Sequence, residues 1–262
     1  MNLEIVSREA TTPKYSTPLL FVHGAWHGAW CWDEYFLPYF AERGFSAHAV
    51  SLRNHGGSER SGGLRWKRIG DYVADVEQAA NSLPRPPAII GHSMGGFVTQ
   101  HYLARNAAPA GVLLASVPPH GVFGTTLKLA RRHPLAFAKA NATWSLYPFV
   151  ATPALAREAF FSSGVSDMDV ARYQSRLQDE SWFAFLDMLV FDLPRAGAKR
   201  SPMLVVGGAD DTIFSPRDVE ATARAYDVQA EIVDGLAHDI MLEPRWRAVA
   251  SRIAGWLETV LT

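Results

Sequence analysis

The sequence predicts an α/β protein: a mostly parallel sheet flanked by helices, with an inserted helical cap. Three observations carry this. Short apolar runs alternate with amphipathic helical patterns at both ends of the chain, and parallel strands need crossover helices between them. One run, Ala88-Ile89-Ile90, ends in Gly91-His92-Ser93-Met94-Gly95-Gly96 and passes straight into a helical pattern. Between about Pro118 and Arg200 no strand pattern is evident, although several helical stretches are. A gap of that length inside a compact domain is not structureless. The expected division is therefore a sheet core from 1–117 and 201–262, with a cap from 118–200.

Taken in order, Leu19-Leu20-Phe21-Val22 is a buried strand running into His23-Gly24-Ala25-Trp26, and a helix is expected from about Trp30 to Arg43, stopped by Gly44. Phe45 to Leu52 reads as the next strand and Asn54-His55-Gly56-Gly57-Ser58 as a tight glycine turn. Ile69, Val73, Val76 and Leu83 recur at helical spacing. After the serine-bearing turn comes a strand at Gly111 to Ala115. Within the cap, helices are expected at Thr125 to Ala140 and Pro153 to Phe161, with one or two more over Met168 to Leu189. The alternation then resumes, with strands at Met203 to Val206 and Ala230 to Val233, a helix at Pro216 to Tyr226 between them, and a closing helix carrying Trp246, Val249, Ile253, Trp256 and Leu257 on one face.

Composition limits the function classes. A chain of 262 residues that is 48% hydrophobic can bury a sizeable core. Its net charge of −1 gives no pull toward nucleic acid or an anionic membrane. A single cysteine excludes an internal disulfide framework and fits a reducing compartment. Met1 to Ala10 holds no signal-like apolar run, and no later segment approaches a membrane span, so a cytoplasmic protein with no stable membrane insertion is expected. The composition leaves a homodimer open.

The chemistry begins at Ser93. A strand that turns sharply into a helix holds one hydroxyl at the corner in strained backbone angles, and its neighbours must be small so that helix and strand can approach. Gly91 and Gly95 provide that room. A serine is a poor nucleophile without a base, and the base needs an orienting acid. Candidates lie where two later strands end. Gly207-Gly208-Ala209-Asp210-Asp211-Thr212-Ile213 follows one, and Asp234-Gly235-Leu236-Ala237-His238-Asp239 follows the other. Open parallel sheets bind ligands at that edge.

These motifs together resemble the serine hydrolases of the α/β-hydrolase fold superfamily, in that superfamily's order and from Pro18 to the end of the chain. Within it the chain is most similar to small bacterial lysophospholipase-like esterases and lipases. Trp26-His27-Gly28-Ala29-Trp30-Cys31-Trp32 is also similar to plant methyl-esterase and hydroxynitrile-lyase relatives. The resemblance implies that Ser93 attacks an acyl carbon, with His238 as base and then acid. It also implies an oxyanion hole from the backbone N–H groups of Ala25 and Met94, and no metal or organic cofactor. Asp211 fits the superfamily's acid position when counted from Gly208, with Ile213-Phe214 following; counting from Gly207 would choose Asp210. The expected partner is a small apolar ester. The same triad also serves carbon–carbon bond hydrolysis, hydroxynitrile cleavage and perhydrolase chemistry, and the fold also serves non-catalytic ligand sensors.

The remaining candidates have plainer readings. His23 and Gly24 shape the oxyanion loop, and His92, His55 and Asp239 read as packing or loop residues. Cys31 reads as a small buried apolar residue, and Trp30 and Trp32 as core. Trp26 follows the oxyanion residue and is a candidate acyl-site wall. In the cap, Trp182 and Phe185 are candidate substrate contacts. Lys128, Arg131, Arg132, His133 and Lys139 form a basic helix face, which is ordinarily a solvated one.

Overall fold

The computed structural model describes residues 1–195 and 201–261; the last five residues of the predicted insertion, 196–200, lie outside them. Seven strands form one sheet: β1 (Ile5–Arg8), β2 (Leu19–Val22), β3 (Ala47–Val50), β4 (Ala88–His92), β5 (Gly111–Leu114), β6 (Met203–Gly208) and β7 (Ala230–Val233). Their order across the sheet is β1-β3-β2-β4-β5-β6-β7. β2 to β7 are parallel, and only β1 runs antiparallel, against β3. β1 has no counterpart in the sequence reading, because a four-residue edge strand with two exposed positions leaves too little apolar pattern to see.

The central strands are buried at every position, which is why they read as continuous apolar runs instead of alternating ones. Within each run, alternate residues still serve opposite faces. Leu19 and Phe21 pack with Trp32, Phe36 and Phe40, beneath α1 (Trp30–Asp33), α2 (Phe36–Glu42) and the closing helix. Leu20 and Val22 pack with Tyr72, Val73 and Phe97, beneath α3 (Ile69–Ser82) and α4 (Met94–Arg105). Burying one such side chain stabilises the fold by roughly 1.5–3 kcal/mol. The helix expected from Trp30 to Arg43 is broken at Tyr35, whose φ is −141°. Pro38 explains the break, since a residue without an N–H is tolerated only in a first turn and so forces a fresh helix start at Phe36.

Between β5 and β6 the described residues hold helices and no strand: α5 (Phe123–Arg132), α6 (Pro134–Thr143), α7 (Pro153–Phe160), α8 (Asp167–Gln174) and α9 (Trp182–Leu186), which continues as a π-helical turn to Phe191. The single helix expected over Thr125 to Ala140 is two, because Pro134 keeps His133 out of the α region (φ −128°, ψ 62°). α10 (Pro216–Ala225) and α11 (Trp246–Val260) complete the core. Among the described residues no helix is long and apolar enough to cross a membrane.

The inserted helices are tied to the core unevenly. No residue of α5 is buried. By contrast Gln178 N–H donates to the Trp26 carbonyl (2.9 Å), Ser181 Oγ to the Lys67 carbonyl (2.6 Å), and the Asp187 carboxylate takes the Arg68 guanidinium and the Ile69 N–H. Glu180 is fully buried and accepts from Tyr72 Oη at 2.8 Å and from His55 Nε2 at 3.0 Å. The other His55 nitrogen, Nδ1, lies 3.0 Å from the Arg53 carbonyl. Burial opposes charge on His55, but the Glu180 carboxylate overrides it and the imidazole pKa stands above its ordinary value. Burial likewise raises and His55 lowers the pKa of Glu180, with a net lowering.

Candidate active site

Ser93 directly follows β4 and caps α4 with φ 52° and ψ −117°, a region that costs a non-glycine residue on the order of 1–3 kcal/mol. The surroundings hold it there. Its N–H donates to the Leu114 carbonyl at 3.0 Å, and its carbonyl accepts from Phe97 and Val117, each at 3.1 Å. A side chain at Gly95 would strike the Val22 and His23 carbonyls, and one at Gly91 would strike Thr99 Oγ1. The glycines of the turn are thus the condition for helix and strand to approach.

His238 lies after β7 and Asp211 after β6, and both meet Ser93 at the carboxyl edge of the sheet. His238 Nε2 is 2.9 Å from Ser93 Oγ and Nδ1 is 2.8 Å from Asp211 Oδ2. The other Asp211 oxygen accepts from the N–H groups of Ile213 (2.8 Å) and Phe214 (3.0 Å), so the carboxylate is aimed by its own turn. Asp210 is exposed, and its backbone N–H donates to the Leu236 carbonyl. Of the two adjacent carboxylates, Asp211 alone is bonded to His238. Burial disfavours charge on His238, yet the charge and hydrogen bond of Asp211, with Asp239 adding to them, leave its pKa above the usual histidine value.

The other histidines around the site are structural in distinct ways. His23 Nε2 accepts from Leu52 N–H (3.0 Å), so Nδ1 carries the proton and donates to the Gly24 carbonyl (2.8 Å). This fixes the Gly24–Ala25 peptide plane, and with it the direction of the Ala25 N–H. Burial, then the neighbouring His55, holds His23 neutral, with its pKa well below normal. His92 stands behind His238, donating from Nε2 to the His238 carbonyl at 3.0 Å. Burial, and then the charge of His238, press its pKa down to about 3. Candidate ligand atoms of His92, His238 and Asp239 lie within 4.8 Å of one another. Both His238 nitrogens are already engaged by Ser93 and Asp211, so this cluster offers a metal no free imidazole from that ring.

A cavity of about 240 Å³ opens over Ser93, lined by Ala25, Trp26 and Met94 and walled by apolar side chains that include Phe149, Phe160, Phe185 and Phe214. Ala25 and Met94, the expected oxyanion donors, thus flank the serine. Trp26 and Phe185 line this space as expected, but Trp182 does not. It lines an adjoining cavity of about 150 Å³ that shares Leu129, Phe149 and Phe185 with the first. Of the basic face, Lys128 and Arg132 reach the first cavity, and Arg132 and His133 are held by Glu158. Cys31 and Trp32 are fully buried, whereas Trp30 is only partly so. Phe149, Phe160 and Phe214 were not legible as lining residues, because an aromatic that walls a pocket and one that fills a core give the same pattern.

Comparison with known proteins agrees with this architecture. The model of the alpha/beta hydrolase family matches residues 19–252. The chain is 26% identical over 232 residues to a monoacylglycerol lipase of Mycolicibacterium smegmatis, covering 83% of this chain and 80% of that lipase. Among solved structures it superimposes on BpoC of Mycobacterium tuberculosis H37Rv (TM-score 0.80, 18% identity, 100% and 97% of the two chains). It also superimposes on a thermophilic esterase of Thermogutta terrifontis (TM-score 0.72, 19% identity, 99% and 94%). With the family model spanning β2 to β7, the serine turn and the inserted helices, the chain belongs to the alpha/beta hydrolase family.

Proposed function

We propose that this protein is a carboxylic-ester hydrolase working through an acyl-enzyme on Ser93. The observation that carries the reading is the hydrogen-bond chain Asp211–His238–Ser93, which ends on a hydroxyl that lines an apolar cavity. His238 Nε2 takes the Ser93 proton as Oγ bonds to the ester carbonyl carbon, and Asp211 stabilises the imidazolium that forms. The carbonyl oxygen becomes an oxyanion facing the backbone N–H groups of Ala25 and Met94. Loss of such a donor costs roughly 100- to 1000-fold in turnover. On collapse His238 returns the proton to the departing alcohol. Water then repeats the sequence on the acyl-enzyme and releases the acid. The mostly apolar cavity favours an apolar acyl or alcohol arm, and the M. smegmatis lipase relative points the same way.

The test is a panel of aryl esters of graded acyl length, together with a monoacylglycerol and a methyl ester. Turnover is expected in the wild type and a loss on the order of a million-fold in Ser93→Ala. A fluorophosphonate should label Ser93 alone, as read by peptide mass. Turnover persisting in folded Ser93→Ala would overturn the mechanism.

A further inference from the structure

Ala25 is bracketed by two imidazoles. On its amino side His23 holds the Gly24 carbonyl. On its other side His27 Nδ1 lies 2.7 Å from the Ala25 carbonyl, and His27 Nε2 lies 3.0 Å from Asp239 Oδ2. Both His27 nitrogens therefore face oxygen acceptors, and each must present an N–H. The ring and the carboxylate are 1% and 0% exposed, shut between Trp30, Phe160 and His92. Asp239 is the residue after His238, and its own N–H is anchored on the Phe160 carbonyl at 3.0 Å. One buried contact thus joins the loop after β2 to the loop after β7 across 212 positions of sequence. The loop it grips has need of a grip: Trp26 sits at φ 67°, a conformation that a tryptophan does not adopt unaided.

We propose that His27 and Asp239 are positioning residues, a buried imidazole–carboxylate clamp that fixes the Ala25 peptide relative to His238. This rests on the reading of Ser93, His238 and Ala25 given above. The clamp touches no substrate. By holding the Ala25 carbonyl, while His23 holds the Gly24 carbonyl, it fixes the peptides on both sides of Ala25 and keeps its N–H from rotating off the developing oxyanion. By taking its acceptor from the residue beside the base, it makes donor and base move as one unit. Preorganised donors act only where charge develops, so the clamp should matter in the transition state and not in ground-state binding. The buried carboxylate is held as an anion by this arrangement: burial raises the Asp239 pKa, and His27, then His92 and His238, lower it by more.

The test compares Asp239→Asn, His27→Gln and the double variant with wild type, using an aryl ester and a trifluoromethyl ketone. The ketone adds to serine and carries an oxyanion. The expected result is a fall in kcat of roughly 10- to 100-fold in each single variant, below the full loss of an oxyanion donor. KM should stay within about two-fold, and ketone affinity should fall by the same factor as kcat. The double variant should be little worse than either single one, because the two residues act through one contact. His27→Gln keeps an amide N–H for the Ala25 carbonyl, so it serves as the readout if Asp239→Asn does not fold. Unchanged kcat and ketone affinity in folded variants, or losses that multiply in the double variant, would overturn the clamp. A KM increase with unchanged ketone affinity would also overturn it. Ser93→Ala separates the two levels: turnover surviving there removes the mechanism and the clamp with it. Turnover lost there but intact in Asp239→Asn and His27→Gln removes the clamp alone.

Discussion

Of the buried histidine–carboxylate pairs described above, two besides the His27–Asp239 contact sit on the carboxyl side of this sheet and have opposite consequences. His238 and Asp211 meet at 2.8 Å, and His55 and Glu180 at 3.0 Å. All four side chains are shut from water, and in each pair burial opposes the charge on the imidazole while the carboxylate overrides it. What differs is the other ring nitrogen. For His55 it faces the Arg53 carbonyl, which can only accept, so the ring is committed to two N–H donors and the pair is a lock. For His238 it faces the Ser93 hydroxyl, which can donate, so the ring can give up a proton and take one back. A buried imidazole is a fastener or a base according to what its second nitrogen faces.

The largest test of that contrast is the same chemical change made in both places. Asp211→Asn keeps size but favours the wrong tautomer of His238, and should lower kcat by roughly ten-thousand-fold with little change in unfolding midpoint. Asp210→Asn, at the exposed neighbour, should cost no more than a few-fold. In the wild type kcat/KM should fall toward acid with a limb above the ordinary imidazole pKa of 6.5, because Asp211 and Asp239 outweigh the burial of the ring. A limb at or below 6.5 would mean the carboxylate does less than its position implies.

Glu180→Gln should show the reverse, leaving the chemical step nearly intact and costing about 3–5 kcal/mol of stability, because it strands a buried imidazolium. Urea unfolding reads this directly. Its pH dependence carries a sign. The folded-state pKa of His55 is raised, so its contribution is full below the ordinary 6.5 and fades as pH rises through the folded value. That of Glu180 is lowered, so its contribution is full above 4.5 and fades as pH falls through its folded value. The gap between wild type and Glu180→Gln should therefore be widest between about 4.5 and 6.5 and narrow at higher pH. Asp75, His23 and Tyr72 share the His55 surroundings and are common to both proteins. A gap that widens with pH would mean the pair is not ionised as its geometry requires.

The smallest effect sharpens the contrast at the substrate. Phe185 hangs from the stretch that Glu180 and Asp187 anchor and lines the Ser93 cavity; Trp182, three residues earlier, lines the adjoining one. Phe185→Ala should change the preference between short and long acyl chains by about ten-fold, in the range of 1–3 kcal/mol that a pocket wall controls. Trp182→Ala should change it less. Equal shifts would make the two cavities one functional space.

The candidate active-site edge was legible because it is written in local chemistry. Gly91-His92-Ser93-Met94-Gly95 needs small residues at fixed places, and Ser93, Asp211 and His238 each follow a recognisable apolar strand. The resemblance to the superfamily favoured Asp211 when counted from Gly208 and Asp210 when counted from Gly207, and the structure bonds Asp211 to the ring. The lock was not legible. His55 reads as one more polar residue in a glycine turn, and Glu180 lies 125 positions away in a stretch whose strand pattern has vanished. No periodicity links them; only the tertiary fold does. His27 was hidden for the same reason, inside a run of tryptophans whose apolar signal drowned its own. Helix boundaries failed where one proline decided them, at Pro38 and at Pro134.

Cys31 gives the buried core a different use. It is the only cysteine in the chain, it is fully buried beneath the sheet, and burial, with the charge of Asp239, raises its thiol pKa well above normal. Thiolate is the reactive form, so a maleimide or disulfide reagent finds no target while α1 is in place. Modification must wait for an opening that exposes this residue. The rate at which the native protein takes up a thiol reagent thus becomes a clock on that opening, supplied by the natural sequence at one known point of the core.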